Sequence, residues 1–264
     1  MIRLTGRLPS APRAIRTAAG GLALLSLGAG CALDRTAGTN AEPAAVTGPL
    51  AGEATGPAAP QRPLTGRGNE PGWHLTIGEA EIELVTDYGA TRAMFPKPAP
   101  ETSGEVTRYV VADAAVTITL LERPCADTMS GMFHPLSVTV ERPDGVLSGC
   151  GGEPASLLLG PEWLVESIDG TAISADSRVT IAFHEGGHID GLASCNRYLA
   201  TYELTGEGLA IAGGASTMMA CEPSLMEQER RFFDALAAVR RFEIAPDGAL
   251  VLLADGGPKL IARR

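Results

Sequence analysis

The sequence predicts a β-rich α+β fold of two small tandem domains, the first all-β and the second an antiparallel sheet with one long helix. Three observations lead there. Beyond residue 67 apolar residues recur at every second place in run after run, the strand period. The helical period appears once at useful length, from Ser224 to Val239. Turn-forming clusters rich in Gly, Pro and Asp separate the runs, and a connection near Pro154 divides them into residues 67–154 and 155–264. Aromatic residues make up only 5% of the 264, so the cores are expected to be small and largely aliphatic.

The chain is expected to begin with an export signal. Arg3, Arg7, Arg13 and Arg16 stand ahead of a short apolar run, Ala18 to Ala29, with no acidic residue among them. That run is too short and too glycine-rich for a membrane span of about 20 apolar residues. Gly28, Ala29 and Gly30 then end on Cys31. The stretch resembles the lipobox of bacterial lipoproteins, with Gly28 where leucine is usual. The resemblance implies cleavage after residue 30 and a lipid on Cys31, the route by which the chain would reach a membrane. Ala32 stands where some lipoproteins carry the aspartate that retains them in the inner membrane, so the outer membrane, facing the periplasm, is the expected location.

Loss of residues 1–30 removes four arginines and no acid, leaving 17 Lys and Arg against 31 Asp and Glu, a net charge of −14. Such a surface repels phosphate, which argues against nucleic acid as a partner. Residues 31–66 hold Ala, Gly, Pro and Thr with almost no large apolar side chain, the composition of a flexible linker. Four cysteines remain after Cys31. An even number in an exported chain reads as disulfides. Cys125 and Cys150 fall in the first domain and Cys195 and Cys221 in the second, so two local bridges are expected. Each closes a loop of about 25 residues, a stabilisation of roughly 3 to 4 kcal/mol in the chain-entropy view. Zinc is not expected at these cysteines, because the C-x-x-C spacing is missing.

In the first domain, strands are predicted at Trp73 to Ile77, Glu81 to Val85, Val106 to Leu121 with a break near Asp113, and Leu136 to Val140. Pro143-Asp144-Gly145 forms a turn into Val146-Leu147. Gly68-Asn69-Glu70-Pro71-Gly72-Trp73, then Cys125-Ala126-Asp127-Thr128-Met129-Ser130, His134-Pro135 and Gly149-Cys150 resemble a bacterial envelope domain of unknown function. Its pattern is G-x-E-P-x-W, then C-x-D-G-M-S-D, then G-C. Thr128 and Gly131 depart from it in the middle loop.

The second domain opens on Trp163 in a strand. Arg178 to Phe183 alternates, Gly186-Gly187 turns, and Ile189 to Ala193, Tyr198 to Leu204 and Leu209 to Ile211 continue the sheet. The helix places Leu225, Phe232, Leu236 and Val239 on one face, with Ser224 and Glu227 as an S-x-x-E capping box and Arg240-Arg241 at its negative end. Strands at Arg241 to Ile244, Leu250 to Leu253 and Lys259 to Ile261 close the chain. Four pieces, in order, resemble the META domain of HslJ-like envelope proteins associated with heat shock: Trp163 with Ile168-Asp169-Gly170; Gly191 with Cys195-Asn196-Arg197-Tyr198; Thr217 to Cys221; and Met226 with Glu229. The resemblance implies an antiparallel sheet curled around one long helix.

One string invites catalysis, His184-Glu185-Gly186-Gly187-His188, which matches H-E-x-x-H. A zincin needs both histidines one helical turn apart. Here the string lies between two alternating runs and holds adjacent glycines, so a hairpin turn is expected instead, with no metal and no cofactor. No G-x-S-x-G elbow or phosphate loop occurs. Asp113 and Asp127 read as turn residues, and Met218 and Met219 as packing under the helix. The resemblance leaves Asn196, Arg197 and Tyr198 as the candidate binding residues, each with an equally good structural role. The expected function is that of a non-enzymatic lipoprotein whose domains bind an envelope protein or cell-wall component and support stress tolerance. The alternative is an inhibitor or sequestering protein of an envelope hydrolase, for which a rigid acidic surface would suit a basic target.

Overall fold

The computed structural model describes residues 62–206 and 208–264. The expected signal peptide, the lipidated Cys31 and the linker as far as residue 61 lie outside the described residues. Strand β1 (Leu64–Asn69) begins inside the last residues assigned to the linker. Leu64, Thr65 and Gly66 pair there with Ile77, Thr76 and Leu75.

β1 is followed by β2 (Gly72–Ile77), β3 (Glu81–Thr86), β4 (Thr91–Pro96), β5 (Glu101–Ser103), β6 (Val106–Val111) and β7 (Val116–Leu121). A two-residue ribbon, β8 (Cys125–Ala126) with β9 (Phe133–His134), precedes β10 (Leu136–Arg142) and β11 (Gly145–Gly151). Among the described residues the long strands make a nine-stranded antiparallel sheet in the order β4-β3-β2-β1-β11-β10-β7-β6-β5. Alternation decides the two faces. Leu75, Ile82, Ile118, Val138, Val140 and Leu147 are buried on one of them and form a core with Trp73 and Tyr109. Among the described residues no helix belongs to that core. The sheet curls on itself, and Lys97, just past β4, reaches within 5.8 Å of the Tyr109 ring in β6. The break near Asp113 is a short 3-10 turn, Ala112–Ala114.

Trp73 accounts for two of the glycines in the first motif. A Cβ on Gly68 would stand 2.2 Å from the indole nitrogen, and one on Gly149 would stand 2.8 Å from Cζ2 of the same ring as well as 2.0 Å from the carbonyl oxygen of Arg67. The indole N–H donates to the Ser148 carbonyl at 3.3 Å. G-x-E-P-x-W and G-C thus owe much of their pattern to the seating of one tryptophan.

The second sheet is built from β12 (Trp163–Ile168), β13 (Thr171–Ala172), β14 (Thr180–His184), β15 (His188–Leu192), β16 (Arg197–Thr205), β17 (Gly208–Ser216), and, after helix α1 (Pro223–Ala238), β18 (Arg241–Ile244), β19 (Leu250–Ala254) and β20 (Gly257–Arg263). Its order is β17-β16-β15-β14-β12-β20-β19-β18, with β13 paired to β12. The sheet nearly closes, because the Leu209 N–H at the start of β17 donates to the Arg240 carbonyl just before β18, at 2.7 Å. Phe232, Ala235 and Leu236 of α1 fill the interior with Trp163, Phe183 and Phe242. The few aromatic residues are concentrated in this core, which is less aliphatic than their scarcity suggested.

The capping box is not formed. Glu222 is the N-cap and Pro223 takes the first helical position, so Ser224 is already inside the helix, and Glu227 pairs with Arg230. At the other end Arg240 donates to the carbonyls of Ala237 and Val239, as the helix dipole favours.

Both expected disulfides are present, Cys125–Cys150 and Cys195–Cys221. The described residues belong to one compact unit. Each sheet has its own apolar cluster, yet Met132, from the loop between β8 and β9, is buried in the cluster of the second sheet, with Phe133 packed beside it. Apart from Met132 and Phe133, the residues of the two clusters lie on either side of residue 154 in the sequence.

Candidate functional site

The candidate binding residues Asn196, Arg197 and Tyr198 follow Cys195 into β16. Only Arg197 is exposed. Asn196 is 2% exposed and uses both ends of its amide. Its Nδ2 donates to Glu229 Oε1 at 2.9 Å and to the Met219 carbonyl at 3.3 Å, and its Oδ1 accepts from the Met219 N–H and the Thr217 hydroxyl, both at 2.8 Å. Glu229, buried on α1, accepts the backbone N–H groups of Asn196 at 2.8 Å and Cys195 at 3.3 Å. Beside it Gln228 accepts from the Ser174 N–H and donates to the hydroxyls of Ser177 and Ser194. Tyr198 donates to the Thr180 carbonyl at 3.0 Å and stacks edge-on against Phe232 and Phe233. Burial, with the charge of Asp190 added, pushes its hydroxyl pKa far up.

The pieces of the second domain's pattern thus meet in one place. Cys195-Asn196, Thr217 to Cys221 and Glu229 form a satisfied polar lock under a disulfide, which fixes the helix against the sheet. Asn196 and Tyr198 are spent within the protein and are not free to meet a ligand.

Met218 and Met219 do not pack under the helix. They are 97% and 55% exposed. Asn196 holds the backbone of Met219 from inside, which turns both side chains outward, and Phe232 with Tyr198 already occupies the space beneath α1. His184 and His188 face each other across the β14–β15 hairpin, and Gly186 and Gly187 between them adopt φ of 82° and 80°, left-handed values that glycine reaches without strain. His184 pairs with Asp190. Among the described residues no group of three or more His, Cys, Asp and Glu is arranged to hold a metal ion.

A different place gathers polar groups from two distant segments of the chain. The outward face of the first sheet and the loop after β8 enclose a cleft of about 560 Å³. The sheet contributes Arg67 and Asn69 from β1, Ser148 from β11, and Ser137 and Thr139 from β10. The loop contributes Asp127 and Thr128, and the β1–β2 turn contributes Glu70. The Cys125–Cys150 bridge ties loop to sheet along one side. Asn69 closes the other side, with Nδ2 donating to Thr128 Oγ1 at 2.8 Å and to Asp127 Oδ2 at 3.3 Å. The first-domain motif therefore brings its two separated halves together around this cleft.

Asp127 shapes the loop, as a turn residue should. Its Oδ1 accepts the N–H groups of Met129 and Ser130 and the Ser130 hydroxyl, at 2.8 to 3.0 Å. Burial alone would raise its pKa, but the bonds from Ser130, Met129 and Asn69 outweigh it and hold the carboxyl at about 2. Arg67 is set by a neighbour inside the protein. Its guanidinium lies 3.4 Å from Nε2 of His134, and the buried His134 ring places Nδ1 2.8 Å from the Gly152 carbonyl. A ring that donates from Nδ1 presents Nε2 as an acceptor to Arg67. The sequence held a signal for this cleft, since the motifs were visible. That their polar residues would converge was not, because β1 and β10–β11 are neighbours only through the sheet order.

No curated protein matches the chain. Among solved structures it is similar to the NMR structure of a protein from Burkholderia xenovorans, 28% identical over 42% of this chain and 88% of that one, with a TM-score of 0.35. Residues 156–264 match the family model described as the META domain, in the part of the chain that carries the second sheet, α1 and the Asn196–Glu229 lock. The C-terminal part of this protein is a META domain.

Proposed function

We propose that the protein is a non-enzymatic binding module of the cell envelope, anchored by lipid on Cys31 at the outer membrane, facing the periplasm and supporting tolerance of envelope stress. The observation that carries the reading is the cleft on the first sheet: a preformed recess of the size of small-molecule sites, lined with hydrogen-bonding groups that converge from two sequence-distant segments. The lipobox-like stretch ending at Cys31 and two disulfides, which persist in oxidising compartments, support the location. A second reading, an inhibitor or sequestering protein for a basic envelope hydrolase, draws on the net charge of −14 left after the signal.

The test is crosslinking in intact cells, with recovery by an antibody to the folded part. A C-terminal tag is avoided because Arg264 stacks 3.9 Å over the Trp163 ring. Recovery of one envelope component in near-equal amount with the anchored form, and not with Cys31→Ala, fits the first reading. Salt-sensitive stoichiometric binding to a basic hydrolase fits the second. Intact mass tests the anchor: a species lacking residues 1–30 without added acyl mass rules it out.

A further inference from the structure

Resting on the binding-module reading, and deepening it, we infer that the cleft of the first sheet binds a saccharide. The reason lies in what its floor offers. Ser148 and Thr139 sit directly opposite each other on β11 and β10, and Ser137 is two residues along β10 on the same face. Neighbouring strands lie about 4.8 Å apart and two residues along a strand span about 6.8 Å, and that backbone spacing sets the three side chains out on one face. None of the three donates to or accepts from another group through its side chain among the described residues.

A hydroxyl both donates and accepts, and so does each hydroxyl of a sugar ring, so a lattice of three free hydroxyls matches a ligand whose own groups are hydroxyls. An apolar ligand would leave all three unpaired, at a cost for each one desolvated. Around this floor the cleft carries groups of both signs. Arg67 is held at one end by His134, and Glu70 is exposed at the β1–β2 turn with no side-chain bond among the described residues. A guanidinium offers only donors and a carboxylate only acceptors, and polyhydroxylated rings use both along their edge. A phosphate-rich ligand would meet Glu70 and the ionised Asp127 along with Arg67, which disfavours it. A volume of about 560 Å³ lies within the roughly 300 to 1,000 Å³ of small-molecule sites, large enough for more than one sugar ring.

Glycan in an envelope comes from the wall or from lipopolysaccharide, and the test separates the two. The full chain is kept in a detergent without a sugar headgroup, which would compete. Saturation-transfer NMR is recorded with chitotriose, as the N-acetylglucosamine chemistry of the wall, and with delipidated core oligosaccharide. Transfer to one of them, weakened about tenfold or more by Thr139→Val with Ser148→Ala, supports the proposal and names the source. Both substitutions lie on a solvent-facing sheet surface, and an unchanged Tm establishes that the fold is intact. Absence of transfer to both, or transfer that the double variant leaves unchanged, overturns it. Crosslinking that recovers a protein partner while neither sugar binds would leave the binding-module reading standing and the saccharide inference refuted.

Discussion

Glu229→Gln is the sharpest probe of the lock beneath the Cys195–Cys221 bridge, because it preserves shape and changes only what the carboxylate can accept. Glu229 Oε2 takes the N–H groups of Asn196 and Cys195, and Oε1 takes Nδ2 of Asn196. A carboxamide has one oxygen. If it serves the two backbone donors, its NH₂ faces Nδ2 of Asn196, donor against donor. Turning the Asn196 amide only moves the defect, since its Oδ1 is needed by the Met219 N–H and the Thr217 hydroxyl. Two charge-assisted bonds become neutral, losing about 0.5 to 1.5 kcal/mol each, and one buried donor is orphaned, at about 1 to 3 kcal/mol. The total is about 2 to 6 kcal/mol. For a folded unit of roughly 200 residues that lowers Tm by about 4 to 24 °C. Calorimetry of the variant beside its parent reads it directly. A Tm within about 2 °C of the parent would refute the lock and return Asn196 to the candidate binding residues.

Three further outcomes are expected. Asp127, held at about 2 against 3.8 when free, contributes stability present above pH 4 and lost as the pH falls toward 2, about 2 kcal/mol in all; Asp127→Asn should flatten that part of the stability curve in acid-titrated urea melts. Arg264→Ala removes a guanidinium that stacks on Trp163 and donates to the carbonyls of Leu158, Leu159 and Pro161, so the urea midpoint should fall by an amount equal to about 1 to 3 kcal/mol, with a change in Trp163 emission. Cys195→Ser with Cys221→Ser opens a 26-residue separation and should lower stability by about 3 to 4 kcal/mol, measured by denaturant melts; an unchanged melt would mean that the polar lock alone holds α1 in place.

Much of the fold was legible in the sequence because burial on one face of a strand imposes the period of two. Trp73 to Ile77 and Arg178 to Phe183 were plain for that reason. β1 and β4 were not, since Leu64-Thr65-Gly66 looks like the linker before it and Thr91–Pro96 is mostly exposed. The helix was found from its apolar stripe, but its first half buries Gln228 and Glu229, which no hydrophobic pattern signals. For the site, the motif residues were in view while their meaning was divided differently from expectation. Asn196 and Tyr198 serve the fold, and the polar residues of the first motif line a recess whose floor, Ser137, Thr139 and Ser148, is ordinary strand sequence. Those serines and that threonine become a set only through pairing across β10 and β11.

The two bridges join the four cysteines beyond Cys31 in the order in which they occur along the chain, Cys125 to Cys150 and then Cys195 to Cys221. A polypeptide threading N-terminus first into an oxidising space meets its correct partners in succession. For the exported, Cys31-lipidated chain proposed above, an oxidase that links each of these four cysteines to the next one to arrive produces the native pattern without any reshuffling, and maturation should then be indifferent to loss of a disulfide isomerase while depending on the oxidase.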